Sequence, residues 1–249
     1  MDSRGFIIAG VVALGLVGAV GSTAQPAGAR PVVHRDAPPP EPVVVELFTA
    51  QGCAGCPAAN QVVEALSEDP GVIALTYAVD YWDYLGWPDT FARPEFARRQ
   101  RDYQAAMRLR SVYTPQIVID GRRQVSGAEG EAIQTAVEEE AARRVFPPQI
   151  QFRDGDDAVG IGSGRAPAGG AEVWAVTYRP GLQTVTVAGG DNRGRSVRHV
   201  NVVEGLTRLG DWTGRPILLA LPGDVDPETQ VVVLVQGRDD RRILTAALR

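Results

Sequence analysis

The sequence predicts two kinds of fold in succession, an α/β unit and then an all-β sandwich. The first prediction rests on alternating strand and helix patterns between residues 43 and 144. The second rests on short strand patterns at regular spacing after residue 149, separated by turns rich in Gly, Asp and Pro. With 249 residues, 44% of them hydrophobic, the chain is long and apolar enough for one or two globular domains.

The first 42 residues are predicted to lie outside the globular part. Residues 1–24 have the pattern of a signal peptide, because Arg4 precedes the uncharged run Phe6–Val20 and small residues follow at Ser22–Ala24. Residues 25–42 are Pro-rich without periodicity and are predicted to be a linker. We therefore expect a periplasmic or secreted protein, with a retained N-terminal anchor as the alternative. No later segment is apolar for long enough to predict a membrane span.

The α/β unit, residues 43–146, begins with a strand followed by a helix. Val43–Thr49 is apolar and β-branched, and Pro57–Ser67 carries apolar residues at helical spacing. The remaining predicted elements are a buried strand, a helix, a hairpin around Asp120-Gly121 and a final helix: Val72–Val79, Pro94–Leu109, Ile117–Asp120 with Gln124–Ser126, and Glu131–Arg144.

A second domain is predicted over residues 147–249. Phe146-Pro147-Pro148 breaks the preceding helix and marks the boundary. The eight strands predicted after it are Gln149–Arg153, Ala158–Gly162, Glu172–Tyr178, Gln183–Val187, Ser196–Val203, Pro216–Leu221, Gln230–Gln236 and Ile243–Ala247.

Composition excludes several function classes. A formal net charge of −5 and a sequence pI near 5.2 argue against binding to nucleic acids or to anionic membranes. All 25 basic residues are Arg, which excludes a P-loop and a Schiff-base lysine. The two histidines, His34 and His199, are too far apart for an H-E-x-x-H zinc motif, and His199 has no convincing Ser and Asp partners for a hydrolase triad.

The two cysteines of the chain, Cys53 and Cys56, form a C-x-x-C between the first strand and the first helix. A thiolate at a helix N-terminus is stabilised by unpaired N–H groups and by the helix dipole, and Pro57 suits the first turn. We expect Cys53 to be exposed and nucleophilic, and Cys56 to be buried and to resolve mixed disulfides. Inert disulfide bonding and copper(I) binding are the alternatives.

Two further features favour redox chemistry over those alternatives. The X-Pro bond at Thr114-Pro115 precedes an apolar strand, as does the cis-proline that lies opposite the dithiol in thioredoxin-like folds. An ordinary trans proline at the start of a strand is the alternative. Glu46 is a lone carboxylate in an apolar strand. Buried there, it would have a raised pKa and accept the proton of Cys56; at a strand edge, it would simply lie in water.

An aromatic cluster begins in the second predicted strand and continues after it. Its members are Tyr77, Tyr81, Trp82, Tyr84 and Trp87, five of the ten Tyr and Trp residues of the chain. Such side chains combine apolar area with a polar atom, which suits recognition. We expect them to form one wall of a peptide groove beside the dithiol; a self-packed loop is the alternative.

Together these residues resemble a thioredoxin-fold protein and, more closely, the exported bacterial domain-of-unknown-function family 1223. The hallmarks of that family are E-L-F-T-x-Q-G-C-x-x-C-P, D-Y-W-D-x-L-G-W and Y-T-P-Q, which stand here at Glu46–Pro57, Asp80–Trp87 and Tyr113–Gln116. The likeness continues through Asp191–Arg195 and Asn201–Val203. The chain departs from the family at Ala78, where relatives commonly have His.

The resemblance implies an α/β thioredoxin-like domain followed by an all-β sandwich-like domain. It favours an exported thiol–disulfide oxidoreductase in which Cys53 and Cys56 react while Thr114 and Pro115 position the substrate. Its partners would be protein or low-molecular-weight thiols and disulfides, with a redox partner at the membrane as a further expectation and no organic cofactor. A copper(I) chaperone or a redox-idle peptide-binding module remains the alternative. The expected substrate-binding residues are Tyr113, Gln116, Trp82, Tyr84 and Trp87.

Overall fold

A computed structural model describes residues 41–143, 147–153, 157–223 and 226–249 of the chain. The predicted signal peptide, residues 1–24, lies outside the described residues. The predicted linker, residues 25–42, does so as well except for its last two residues. Among the described residues, no helix has both the length and the hydropathy needed to cross a membrane.

The elements of the first half lie close to their predicted bounds. Each helix begins next to a proline or a glycine, and each strand of the first parallel pair is entirely buried. The elements are β1 (Val43–Thr49), α1 (Cys56–Leu66), β2 (Val72–Ala78), α2 (Pro94–Ala106), β3 (Gln116–Ile119), β4 (Arg123–Ser126) and α3 (Gly130–Ala141).

The second half contains seven strands among its described residues, where the sequence predicted eight. They are β5 (Ile150–Phe152), β6 (Ala158–Ile161), β7 (Ala171–Thr186), β8 (Ser196–Trp212), β9 (Ile217–Ala220), β10 (Gln230–Gly237) and β11 (Ile243–Leu248). Where the sequence predicts a turn between the strands Glu172–Tyr178 and Gln183–Val187, the structure has an irregularity within β7, and the register with β8 shifts between Arg179 and Leu182. Because β8 pairs with β7 on both sides of this point, the chain continues as one strand.

One mixed sheet runs through both predicted domains, in the strand order β11-β10-β7-β8-β2-β1-β3-β4. The junction is the parallel contact of β2 with β8, where the hydroxyl of Thr76 donates to the carbonyl of Val200 at 2.5 Å. A separate β-sandwich is therefore not confirmed, because the second half extends the sheet of the first. A smaller sheet, β5-β6-β9, packs on the β7–β10 region through Val159, Ile161 and Val233.

Helices cover both faces of the centre of the sheet. Alternation along β1 directs Val45 and Leu47 towards α1 and α3, whereas Val44 and Phe48 pack in the cluster that includes residues of α2. β1 then ends at the turn that leads into α1. The fold thus delivers the C-x-x-C to one end of the sheet, at the start of a helix.

Candidate functional site

The cysteines form a disulfide at the N-terminus of α1. Cys56 is the first residue of that helix, and its N–H donates to the carbonyl of Cys53 at 3.2 Å. The Cα atoms of the pair lie 5.4 Å apart. Pro57 occupies the first turn, where its missing N–H costs no helical hydrogen bond. The sulfur atoms therefore lie where helix backbone groups can stabilise a thiolate.

Both cysteines are buried, so the predicted exposure of Cys53 is wrong. Cys53 is 2% exposed and Cys56 is 0% exposed. Trp82 packs against the hydrophobic cluster that contains both cysteines. The sequence could not show this burial, because the covering residues come from distant parts of the chain.

Pro115 lies against the turn that carries the cysteines, and the Thr114-Pro115 bond is cis, as predicted. A Cβ atom at Gly55 would lie 3.5 Å from Cδ of Pro115. On the other side, a Cβ atom at Gly127 would come within 2.7 Å of Cβ of Pro115, so only glycine fits at this approach. The structure thus brings Pro115 and the dithiol together.

The aromatic segment, defined as residues 81–87, reaches the same end of the sheet. The indole N–H of Trp82 donates to the Thr114 hydroxyl at 2.7 Å, and that of Trp87 donates to the side-chain carbonyl of Gln51 at 2.7 Å. Tyr84 is 79% exposed. Of the aromatic residues predicted to bind substrate, Trp82 and Trp87 therefore contact the site, while Tyr84 faces solvent. Tyr77, which was also expected in the groove wall, is 0% exposed in β2 and cannot line a groove.

The predicted substrate-binding residues beside Pro115 are largely committed to internal contacts. Gln116 is 1% exposed, and its side-chain carbonyl accepts a hydrogen bond from Gln100 at 2.8 Å. The hydroxyl of Tyr113 donates to the side chain of Gln124, and Tyr113 is half-buried. The buried amide of Gln116 thus helps to fix the cis-proline loop and leaves no surface for a substrate.

Glu46 is buried, but its bonded partners are Arg99 and Tyr103 and not the Cys56 thiol. Nε of Arg99 lies 2.7 Å from Glu46, and the Tyr103 hydroxyl donates to the other carboxylate oxygen. Burial raises the pKa of Tyr103 well above its usual value, so this phenol keeps the proton that it donates. Gln236 in β10 joins the cluster through both Arg99 and Tyr103. The carboxylate thus ties β1 to α2 and to β10.

Sequence reasoning missed Asn192 as a site residue. Asn192 is 0% exposed, and its amide donates to the carbonyls of Gln51 at 2.9 Å and Cys53 at 2.7 Å. It lies in the arm tip, defined as residues 187–195, which connects β7 to β8. The available signal was its position within the family motif Asp191–Arg195, but the motif does not say what Asn192 contacts.

His199 in β8 gives the first testable prediction. It is 1% exposed, and burial lowers its pKa from 6.5 to about 4. Above pH 6.5 the imidazole is neutral in both states, so burial of His199 does not oppose folding. Below that pH the unfolded chain binds a proton that the folded protein does not, so the folded protein loses stability as the pH falls towards 4. We expect wild type to lose about 2 kcal/mol more than His199→Leu between pH 7 and pH 4.5. Urea unfolding measures this difference.

The comparison isolates His199, because the carboxylates and His34 are common to both proteins. Parallel stability curves for wild type and His199→Leu over that pH range would contradict the prediction.

The described residues contain no cluster of three or more His, Cys, Asp or Glu side chains arranged to hold a metal ion. The two thiols of Cys53 and Cys56 are the soft ligands that the site offers, and in the structure they are joined to each other.

Fold and site together define a mixed α/β protein with a buried C-x-x-C disulfide at a helix N-terminus, beside a cis-proline. The chain belongs to the family described as a protein of unknown function (DUF1223), which matches residues 44–236. The resemblance seen in the sequence motifs is thereby confirmed.

Two solved structures are similar to this chain. A crystal structure of an Agrobacterium tumefaciens protein shares 32% identity with a TM-score of 0.69, covering 83% of this chain and 92% of that one. HBP35 of Porphyromonas gingivalis shares 14% identity with a TM-score of 0.56, covering 84% of this chain and 74% of that one, which is a likeness of fold alone. None of the curated proteins matches the chain significantly.

Proposed function

We propose that the protein is an exported thioredoxin-like thiol–disulfide oxidoreductase acting through Cys53 and Cys56. The observation that carries the proposal is the disulfide at the start of α1 lying beside cis-Pro115. The order β1-α1-β2, α2, β3-β4, α3, with helices on both faces of the sheet, supports the thioredoxin-like assignment. A three-residue separation makes the bond a weak structural staple, which favours a reactive role.

The chemistry is a two-step exchange. A substrate thiolate attacks Sγ of Cys53, the Cys53–Cys56 bond breaks, and Cys56 leaves as a thiolate that takes up a proton. A second substrate thiolate then attacks the substrate sulfur of the mixed disulfide and releases Cys53. The substrate loses two electrons and two protons in forming its disulfide, and the cysteine pair gains them. Oxidised substrates drive the same steps in reverse.

Exchange needs a movement that opens the site, because an attacking sulfur must reach Sγ of Cys53 in line with the disulfide. Cys53 is 2% exposed, and Trp82 and the arm tip lie around it. Loops that carry few buried apolar contacts open more readily than core strands. Displacement of Trp82 or of the arm tip would give that access without unfolding β1 or α1.

The deciding experiment is a redox titration of the mature protein against glutathione, with thiol trapping, paired with insulin reduction. We expect reversible interconversion of the disulfide and dithiol forms in the folded protein and measurable insulin turnover. A potential below about −300 mV together with no turnover would assign the disulfide a structural role and overturn the proposal.

Export is part of the proposal, since a disulfide persists most readily in an oxidising compartment. It is supported by the signal-peptide pattern of residues 1–24. Fractionation of a producing bacterium, with N-terminal sequencing of the protein found, tests it. A full-length chain in the cytosol would contradict it.

Trp82 gives the second prediction. Its indole donates to Thr114 beside cis-Pro115 and its ring packs on the cluster that contains the cysteines, so Trp82→Ala both uncovers Cys53 and releases the cis-proline loop. We expect the second effect to dominate and to lower insulin turnover per folded molecule severalfold, because the substrate needs a fixed loop to be held in line with the disulfide. Tyr84→Ala is the matched control, because Tyr84 belongs to the same segment and is 79% exposed. Equal turnover in the two variants would reduce the aromatic segment to a packing role.

A further inference from the structure

The arm tip donates hydrogen bonds to the backbone carbonyls of Gln51, Gly52 and Cys53, which together are called the dithiol turn. The Asn192 amide donates to the carbonyls of Gln51 at 2.9 Å and Cys53 at 2.7 Å, and the N–H of Asp191 donates to that of Gly52 at 3.1 Å. The backbones are in direct contact, because a Cβ atom at Gly190 would lie 2.9 Å from Cα of Gly52. The turn before the dithiol is thus shaped by residues about 140 positions further along the chain.

The orientation of the Asn192 amide is itself fixed. Its carbonyl oxygen accepts a hydrogen bond from Nη1 of Arg195 at 3.4 Å, so the NH2 end faces the dithiol turn. The N–H of Gln51 also donates to the Asp89 carboxylate at 2.6 Å. The turn is therefore held by two separate parts of the chain, and Asn192 is the side chain that the arm tip contributes.

We propose that Asn192 is a positioning residue that sets the redox equilibrium of the Cys53–Cys56 pair. This inference rests on the proposed exchange activity and deepens it, because it assigns to the second half of the chain the regulation of the dithiol. A carbonyl oxygen next to a sulfur disfavours negative charge there. A buried amide that donates to the Cys53 carbonyl offsets this effect and so favours the Cys53 thiolate.

The proposal predicts a shift in the equilibrium between the Cys53–Cys56 pair and glutathione. Two glutathione molecules reduce the disulfide to two thiols and leave as one glutathione disulfide, transferring two electrons and two protons. Stabilising the thiolate favours the reduced pair, so removing the Asn192 donor favours the disulfide. The same change raises the pKa of Cys53, which the pH dependence of alkylation reports.

The experiment compares Asn192→Ala, Asn192→Ser and Asn192→Asp with wild type in the glutathione titration. The expected order of effect is Asp, then Ala, then Ser, because Asp turns an oxygen towards the carbonyls while Ser keeps one donor. For Asn192→Asp we expect about a tenfold rise in the [GSH]²/[GSSG] ratio at half-reduction, which corresponds to about 30 mV. The midpoint of Cys53 alkylation should move to higher pH in the same order.

Asn60→Ala is the matched control. Asn60 is also buried, at 2% exposure, and its amide donates to the backbone carbonyl of Arg198 in β8 at 2.7 Å. It ties β8 to α1 without a hydrogen bond to the carbonyls of Gln51, Gly52 or Cys53. We expect this variant to lose stability while its half-reduction ratio stays at the wild-type value.

The outcomes separate the inference from the function on which it rests. If wild type exchanges with glutathione but the Asn192 variants titrate as wild type does, or if Asn60→Ala shifts the ratio equally, the inference is wrong and the activity stands. If glutathione reduces the wild-type pair only after unfolding, the proposed function itself fails. Asn192→Ser supplies the measurement should the larger changes prevent folding.

Discussion

Cys53→Ser is expected to abolish insulin reduction and exchange with glutathione, whereas Cys56→Ser is expected to accumulate a mixed disulfide. In the proposed mechanism, run in the direction that reduces a disulfide, the Cys53 thiolate attacks glutathione disulfide and releases one glutathione thiolate. Cys56, the first residue of α1, then attacks Sγ of Cys53 and releases the second glutathione. Without Cys56 the first of these attacks proceeds and the second cannot occur. Mass spectrometry of the non-reduced protein after incubation with glutathione disulfide distinguishes the two variants.

Ala54→Ser is the control for this pair. It introduces a serine into the same turn at an exposed position and leaves both thiols in place, so its activity should match that of wild type. A stable glutathione adduct on Cys56 in the Cys53→Ser protein, with none in Cys56→Ser, would exchange the roles assigned to the two thiols.

Arg99→Leu is expected to destabilise the protein by about 3–5 kcal/mol, because it leaves the Glu46 carboxylate buried without its cation. Glu46 is 0% exposed and Arg99 is 7% exposed, and the pair joins three elements of the fold. Urea unfolding measures the change. Arg123→Leu, which breaks the exposed pair with Glu139, is the control and should cost at most about 1 kcal/mol.

The Glu46→Gln, Arg99→Leu double variant makes the test specific to charge. It removes both ions, so we expect it to be more stable than Arg99→Leu alone.

Glu46→Gln by itself also tests the sequence-based hypothesis of proton transfer from Cys56. Since Arg99 and Tyr103 occupy the carboxylate, we expect unchanged exchange per folded molecule. A large fall in exchange rate at unchanged folding would restore the proton-acceptor role.

Local patterns predicted the elements of the first half well, because hydrophobic periodicity and proline positions act within a few residues. Val43–Thr49 forms a strand at the predicted bounds, and Pro94 begins its helix as predicted. Local patterns gave the wrong secondary structure where pairing with a distant strand determines it. The segment around Pro180 has turn residues, yet pairing with β8 on both sides keeps it within a single strand.

The same distinction applies to the site. Neighbouring positions alone indicate a C-x-x-C at the start of a helix and an X-Pro before a strand, and the structure joins them. The ion-pair partner of Glu46 could not be predicted from local sequence, because Arg99 lies 53 residues further along the chain. The burial of Cys53 was also missed, since its neighbours in sequence are small and do not reveal the Trp82 side chain and the arm tip around it.

The sequence by itself determined the family, the dithiol and the cis-proline, because the motifs that indicate them are short runs of neighbouring residues. Only the tertiary structure decided that both halves share one sheet and that Asn192 contacts the dithiol turn. The physical reason is that strand pairing and burial depend on contacts between residues more than a hundred positions apart. No local pattern of side chains specifies which distant backbone carbonyl an amide will reach.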